Sequence, residues 1–101
     1  MEPNIAVIVQ ARMGASRLPG KMLLPLHGSP IVEWVFRRVQ KAELINNILF
    51  AIPKTSENDT LNAFLVKMGA MVYRGSEEDV IERFYFAAKS INATHVVRVC
   101  A

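Results

Sequence analysis

Apolar positions along this chain fall in short blocks separated by polar punctuation. Residues 4–10 form a β-branched run between Asn4 and Gln10, the pattern of a strand buried on both faces. In the segment that follows, Gly14, Pro19, Gly20, Pro25, Gly28 and Pro30 recur, and such breakers predict a long loop. Pro30 can open a helix, because its missing N–H is no loss in the first turn. Ile31, Val32, Val35, Phe36 and Val39 then share one helical face, with Glu33, Arg37, Arg38 and Lys41 on the other. Residues 47–52 predict a second strand, ended by Pro53. Ser56 is the expected cap of a second helix whose stripe is Leu61, Phe64, Leu65 and Met68, closed by Gly69. Residues 70–74 form a third strand. Residues 76–79 (Ser-Glu-Glu-Asp) resemble a capping box, opening a third helix through Ile81, Phe84, Ala88 and Ile91. A fourth strand occupies residues 94–100.

The order β-α-β-α-β-α-β, without repeat or linker, predicts one α/β unit with a parallel sheet covered by helices. In such sheets ligands bind beyond the carboxyl ends of the strands. The long loop leaves the carboxyl end of the first strand.

Composition adds limits. The chain has 101 residues, 51% hydrophobic and 21% charged, as in an ordinary globular domain. No apolar run approaches the ~20 residues that span a bilayer. The first residues lack the basic start of a signal peptide. One cysteine, Cys100, cannot form an internal disulfide and fits a reducing cytoplasm. The location of the +3 net charge matters more than its size. Between Pro3 and Val32 there is no Asp or Glu, only Arg12, Arg17 and Lys21. Without those three, the 12 basic residues would match the 9 acidic ones. A nucleic-acid binder spreads its cations along a face; a tight focus suits a small polyanion.

The loop has the parts for that task. Gly14 and Gly20 allow close backbone approach, and Pro19 restricts the loop. Arg12 and Arg17 offer forked donors and Lys21 a point charge, a set suited to a triphosphate. It is not a Walker A loop: five residues separate Gly14 from Gly20, and Met22 follows Lys21. It is not a dinucleotide fingerprint either. A solvated loop whose cations aid solubility remains the plain alternative. Elsewhere, His27 reads as a surface residue, His95 as a polar strand end and Cys100 as a small buried residue. Trp34 and Phe36, and the run Phe84, Tyr85 and Phe86, read as packing residues. Glu77, Glu78 and Asp79 read as helix-start charge rather than a metal site. Arg98, inside a strand expected to be central, needs a partner or a path to the ligand edge.

The string at residues 10–39 resembles the opening of the cytidylyltransferases that act on 3-deoxy-manno-octulosonate and acylneuraminate. Arg12 and Ser16-Arg17-Leu18-Pro19-Gly20-Lys21 match the family signature in order. Residues 72–88 resemble its spore coat polysaccharide (SpsF-like) branch, and the final Val-Val-Arg-Val-Cys-Ala is a third point of resemblance. The resemblance implies a three-layer α/β/α sandwich of the nucleotide-diphospho-sugar transferase type, with a Rossmann-like parallel sheet truncated after the fourth strand. Residues 1–101 would be the N-terminal nucleotide-binding portion. It implies transfer of CMP from CTP to a sugar or sugar acid with release of pyrophosphate, Arg12 and Lys21 being catalytic. Ala11, Arg12, Gly14, Ser16, Arg17 and Lys21 would bind nucleotide, with Arg74 and Ser76 as contacts to base or ribose. It implies Mg²⁺, with ligands beyond this chain and none within it, and leaves a homodimer open. No nucleic acid or membrane partner is expected. A transferase using another nucleotide, and a noncatalytic nucleotide- or anion-binding module that keeps the loop without the metal site, are the alternatives. The fourth strand is expected beside the first; as an edge it would invite pairing with another chain or poor solubility.

Overall fold

Residues 2–14 and 20–100 are described by the computed structural model of the chain. In chain order the elements are β1 (Ile5–Gln10), β2 (Pro25–Leu26), β3 (Ser29–Pro30), α1 (Ile31–Gln40), β4 (Asn47–Pro53), α2 (Asp59–Lys67), β5 (Met71–Gly75), α3 (Val80–Ser90) and β6 (His95–Cys100). Short 3₁₀ turns occupy Lys21–Leu23 and Ser56–Asn58.

Alternation along β1 sends Val7 and Val9 to one face and Ile8 to the other. On the first face they meet Phe50 and Ile52 of β4, Val32 and Phe36 of α1, and Leu61 and Leu65 of α2. On the second, Ile8, Leu49 and Ala51 pack with Ala87, while Phe84, Ala88 and Ile91 of α3 close around them. The expected three-layer sandwich results. Four strands form its sheet in the order β5-β4-β1-β6, every neighbouring pair parallel. The chain steps outward from β1 to β4 to β5, then returns past β1 to β6. Right-handed crossovers place helices on one face before such a reversal and on the other after it. The reversal creates a switch point between β1 and β6, open at their carboxyl ends.

Some local expectations shift. Ser56 does not cap α2; a 3₁₀ turn precedes the helix, and Asn58 holds the N-cap position. At α3 the cap is Asp79, whose Oδ1 accepts from the Glu82 N–H at 2.9 Å, while Ser76 Oγ accepts from the Asp79 N–H at 3.0 Å. The expected box therefore acts one step earlier, as a turn leading into the cap. This start also sets the helical phase: Ile81 is 83% exposed, and Arg83 and Ala87 are buried. Between β2 and β3, His27 (φ 51) and Gly28 (φ 85) make a two-residue hairpin turn of the kind that needs positive φ at both positions. Trp34, expected in the core, is partly exposed and donates its indole N–H to the Leu26 carbonyl at 2.6 Å.

β6 pairs with β1, as expected, and forms the sheet's edge. Arg98 and Cys100 are consequently exposed, not buried. Tyr85 and Phe86 stack edge to face with each other, 5.2 Å between centroids, at the surface. Among the described residues no helix is long and apolar enough to cross a membrane.

Candidate active site

A cavity of about 240 Å³ opens at the carboxyl ends of β1 and β6, bounded by Gln10, Arg12, Lys21, Arg98 and Cys100, with Ala11 and Met22 as its apolar lining. Larger hollows lie at the opposite end of the sheet (about 340 Å³) and between the hairpin and α1 (about 680 Å³). Neither is at the switch point, so volume does not identify the site; topology and charge do.

Arg12 and Lys21 are eight residues of loop apart, yet both reach the cavity because the loop is tied at its base. The Gly20 N–H donates to the Met13 carbonyl at 2.8 Å. The Met13 N–H donates to Asn58 Oδ1, and the Asn58 amide donates to Thr55 Oγ1, both at 2.8 Å. Asn58 is fully buried. Gly20 takes a left-handed conformation (φ 75) and starts the 3₁₀ turn that carries Lys21; the next residue, Met22, is buried in the core and anchors the turn. On the other wall, Arg98 donates to Gln10 Oε1 at 3.1 Å and lies over the Phe84 ring, 5.1 Å from its centroid. Arg98 thus finds a partner in Gln10, an amide rather than a carboxylate, and stands on the cavity wall.

The sequence-derived residues divide accordingly. Ala11, Arg12 and Lys21 come together at the cavity. The Ala11 N–H points to the Ala51 carbonyl at 3.4 Å, so its backbone donor extends the sheet ladder. Gly14 lies beside the Glu57 carboxylate, whose Oε1 would be 2.9 Å from an added Cβ. Ser16 and Arg17 lie outside the described residues. Arg74 and Ser76 do not line the cavity. Strand alternation points Arg74 to the α2 face, where Nη2 donates to the Thr55 carbonyl and pairs with Asp59 Oδ1, each at 2.8 Å. Ser76 serves the turn before α3.

Arg83 was missed by sequence reasoning. It is 1% exposed, and Nη1 donates to the Ser76 carbonyl at 2.7 Å. Its affinity for its proton is lowered, first by burial and then by the like charge of Arg12, with Glu77 acting in the opposite direction. The signal was available: position 83 lies between Val80 and Ala87 on the stripe of α3 that faces the sheet, where an arginine is out of place.

Mg²⁺ demands oxygen ligands. The cavity wall offers three cations and no carboxylate; its side-chain oxygen, Gln10 Oε1, already accepts from Arg98. Among the described residues no three His, Cys, Asp or Glu side chains gather as a metal site. The residues present do not fit a protein-held Mg²⁺, and no step below is routed through one.

Known proteins share this fold. The sequence model of the cytidylyltransferase family matches residues 6–101. The chain is 34% identical over 100 residues to the spore coat polysaccharide biosynthesis protein SpsF of Bacillus subtilis, covering 95% of this chain and 42% of that protein. It is 32% identical over 93 residues to the 3-deoxy-manno-octulosonate cytidylyltransferase of Chloroherpeton thalassium, covering 92% and 37%. The structure of a cytidylyltransferase from Leptospira borgpetersenii superimposes with a TM-score of 0.92 at 31% identity, over 98% of this chain and 42% of that one. The chain therefore spans about two-fifths of the length of these relatives. With the match running from the second residue of β1 to residue 101, and with Arg12 and Lys21 at the switch point of a matching sheet, the chain belongs to the cytidylyltransferase family.

Proposed function

We propose that residues 1–101 are the nucleotide-binding portion of a cytoplasmic enzyme that transfers CMP from CTP to a sugar or sugar acid in the synthesis of a surface or spore coat polysaccharide. The observation that carries this reading is the convergence of Arg12 and Lys21 on one cavity at the switch point. A hydroxyl of the acceptor attacks the α-phosphorus of CTP, the bond to the oxygen bridging to the β-phosphorus breaks, and pyrophosphate departs with added negative charge. Arg12 and Lys21 hold the triphosphate in line and stabilise that charge as it develops, which is electrostatic rather than covalent catalysis. Any Mg²⁺ in this reaction would arrive on the triphosphate or be held by groups beyond these residues.

Calorimetric titration of the chain with CTP tests the reading. Arg12→Gln and Lys21→Gln are each expected to weaken binding about 10-fold or more, the loss of one charge-assisted hydrogen bond. Binding should also weaken as salt rises. CTP affinity unchanged in the double variant would overturn the assignment. Pyrophosphate release with CTP, Mg²⁺ and sugar acids then separates enzyme from module: binding without turnover for any acceptor favours a nucleotide-binding module, which the lack of carboxylates along the cavity wall would explain. Equal affinity for ATP would point to another nucleotide.

A further inference from the structure

Arg83 is the buried cation among the described residues, and it is poorly provided for. Its stem crosses Gly75, where an added Cβ would come within 3.0 Å of Arg83 Cγ and 2.8 Å of Tyr73 Cε2; the end of β5 makes room for this side chain. One hydrogen bond, from Nη1 to the Ser76 carbonyl, tethers the guanidinium. Nε and Nη2 are shielded from water and have no hydrogen-bond partner among the described residues. Buried donors of a charged group left without acceptors are rare and costly, and an apolar side chain of similar size would serve packing better.

Its place in the fold indicates what the open edge is for. Arg83 lies in the first turn of α3, which follows β5, so it stands at the same end of the parallel sheet as the cavity. By strand alternation Gln10 shares the α3 face of the sheet with Ile8, and Arg12 comes two residues later. The like charge of Arg12 opposes that of Arg83. Two cations set against each other at a switch point are relieved by an anion that both can reach.

We propose that Arg83 is a phosphate-binding residue: its unpartnered edge, Nε and Nη2, donates to oxygens of the triphosphate that Arg12 and Lys21 also hold. The identity of the triphosphate rests on the cytidylyltransferase reading above; the anion site does not. Arg83 is not among the residues that line the cavity, so reaching the triphosphate requires its guanidinium to turn about the tether at Ser76. Its planar fork suits two phosphate oxygens in a way that a lysine cannot reproduce.

Magnetic resonance of the ¹⁵N-labelled 101-residue chain tests this directly. The Arg83 Nε resonance, assigned by its loss in Arg83→Lys, is followed as inorganic pyrophosphate, CTP or acetate is added. Pyrophosphate and CTP are expected to move it and acetate to leave it in place. Arg83→Lys should bind pyrophosphate about 10-fold more weakly. Arg83→Met should bind it more weakly still while its thermal midpoint stays level or rises, because an orphaned charge has gone. An unmoved resonance with full pyrophosphate affinity in Arg83→Lys overturns the inference, and leaves the cytidylyltransferase reading intact if CTP still binds through Arg12 and Lys21. A response to pyrophosphate but not to CTP upholds Arg83 as an anion site and sinks the nucleotide reading. A response to acetate alone makes it a carboxylate site and refutes the proposal. So does a drop in the Arg83→Met midpoint with undiminished pyrophosphate affinity, which would mark Arg83 as purely structural.

Discussion

Asn58 carries no charge and does not border the cavity, yet it decides where the cationic loop leaves β1. Its amide is fully buried, and both ends are engaged: Oδ1 by the Met13 N–H, Nδ2 by Thr55 Oγ1. A buried amide so satisfied is a positioning device, because removal strands a backbone donor away from water. Asn58→Ala is expected to cost about 1–3 kcal/mol, the penalty for an unsatisfied buried group, read from the urea midpoint. It should also weaken CTP binding, because Arg12 is next to the residue released. An affinity unchanged despite the lost stability would show that the loop holds its shape without this tie. Arg74 illustrates the opposite case: its guanidinium braces the connection between β4 and α2 through the Thr55 carbonyl and Asp59. The Asp59 pair contributes little by itself, since that carboxylate is largely exposed.

At the scale of elements, two helices end in the same way. Gly69 (φ 87) follows α2, with hydrogen bonds from the Gly69 N–H to the Val66 carbonyl and from the Ala70 N–H to the Leu65 carbonyl. Asn92 (φ 53) follows α3, with bonds from Asn92 to Lys89 and from Ala93 to Ala88. Both are the left-handed motif that satisfies the last free carbonyls of a helix. Gly69→Ala is expected to cost about 1 kcal/mol because an L side chain resists positive φ. Asn92→Gly should gain a few tenths for the same reason. Thermal denaturation checks both, and matching signs at the two sites would contradict the motif. The glycine was legible as a helix end in the sequence; Asn92 was not, since asparagine marks turns of many kinds. The same contrast runs through the fold. The apolar blocks gave the strands and helices within a few residues, because burial imposes their periods. The caps moved because Ser56, Ser76 and Asp79 are all competent and only the local backbone chooses among them. The loop cations Arg12 and Lys21 could be read from their uncompensated charge. Arg83 could not be read that way, because its neighbours Glu77, Glu78, Asp79 and Glu82 hide it in an acidic stretch. Only the helical phase exposes it.

Across the whole molecule, charge and pairing are unevenly distributed. The net excess of +3 equals the charge of the one loop, and Arg98 adds a further cation to the cavity wall at the same end. A field concentrated on one face steers an anion toward the cavity. On the flank of that face lies β6, hydrogen-bonded to β1 on one side and, among the described residues, to no strand on the other. Val96 and Val97 are 45% and 49% exposed on its opposite faces. Edge strands are usually protected by outward charge. Here the charged side chain of β6, Arg98, is turned to Gln10 and Phe84, so the edge is poorly defended. The chain is therefore expected to self-associate through β6 as its concentration rises, and sedimentation velocity will detect the larger species. Val97→Lys places a charge on the face toward α1 and α2, away from Arg98, and should shift the distribution toward monomer. CTP affinity should be unaffected, because Val97 is three residues short of the cavity end of β6 and on the other face of the sheet from Gln10. Association that persists in Val97→Lys would locate the contact elsewhere, with the exposed pair Tyr85 and Phe86 on α3 as the next surface to alter. A parent chain that stays monomeric throughout would show that one unpaired strand of six residues is too short to recruit a second copy.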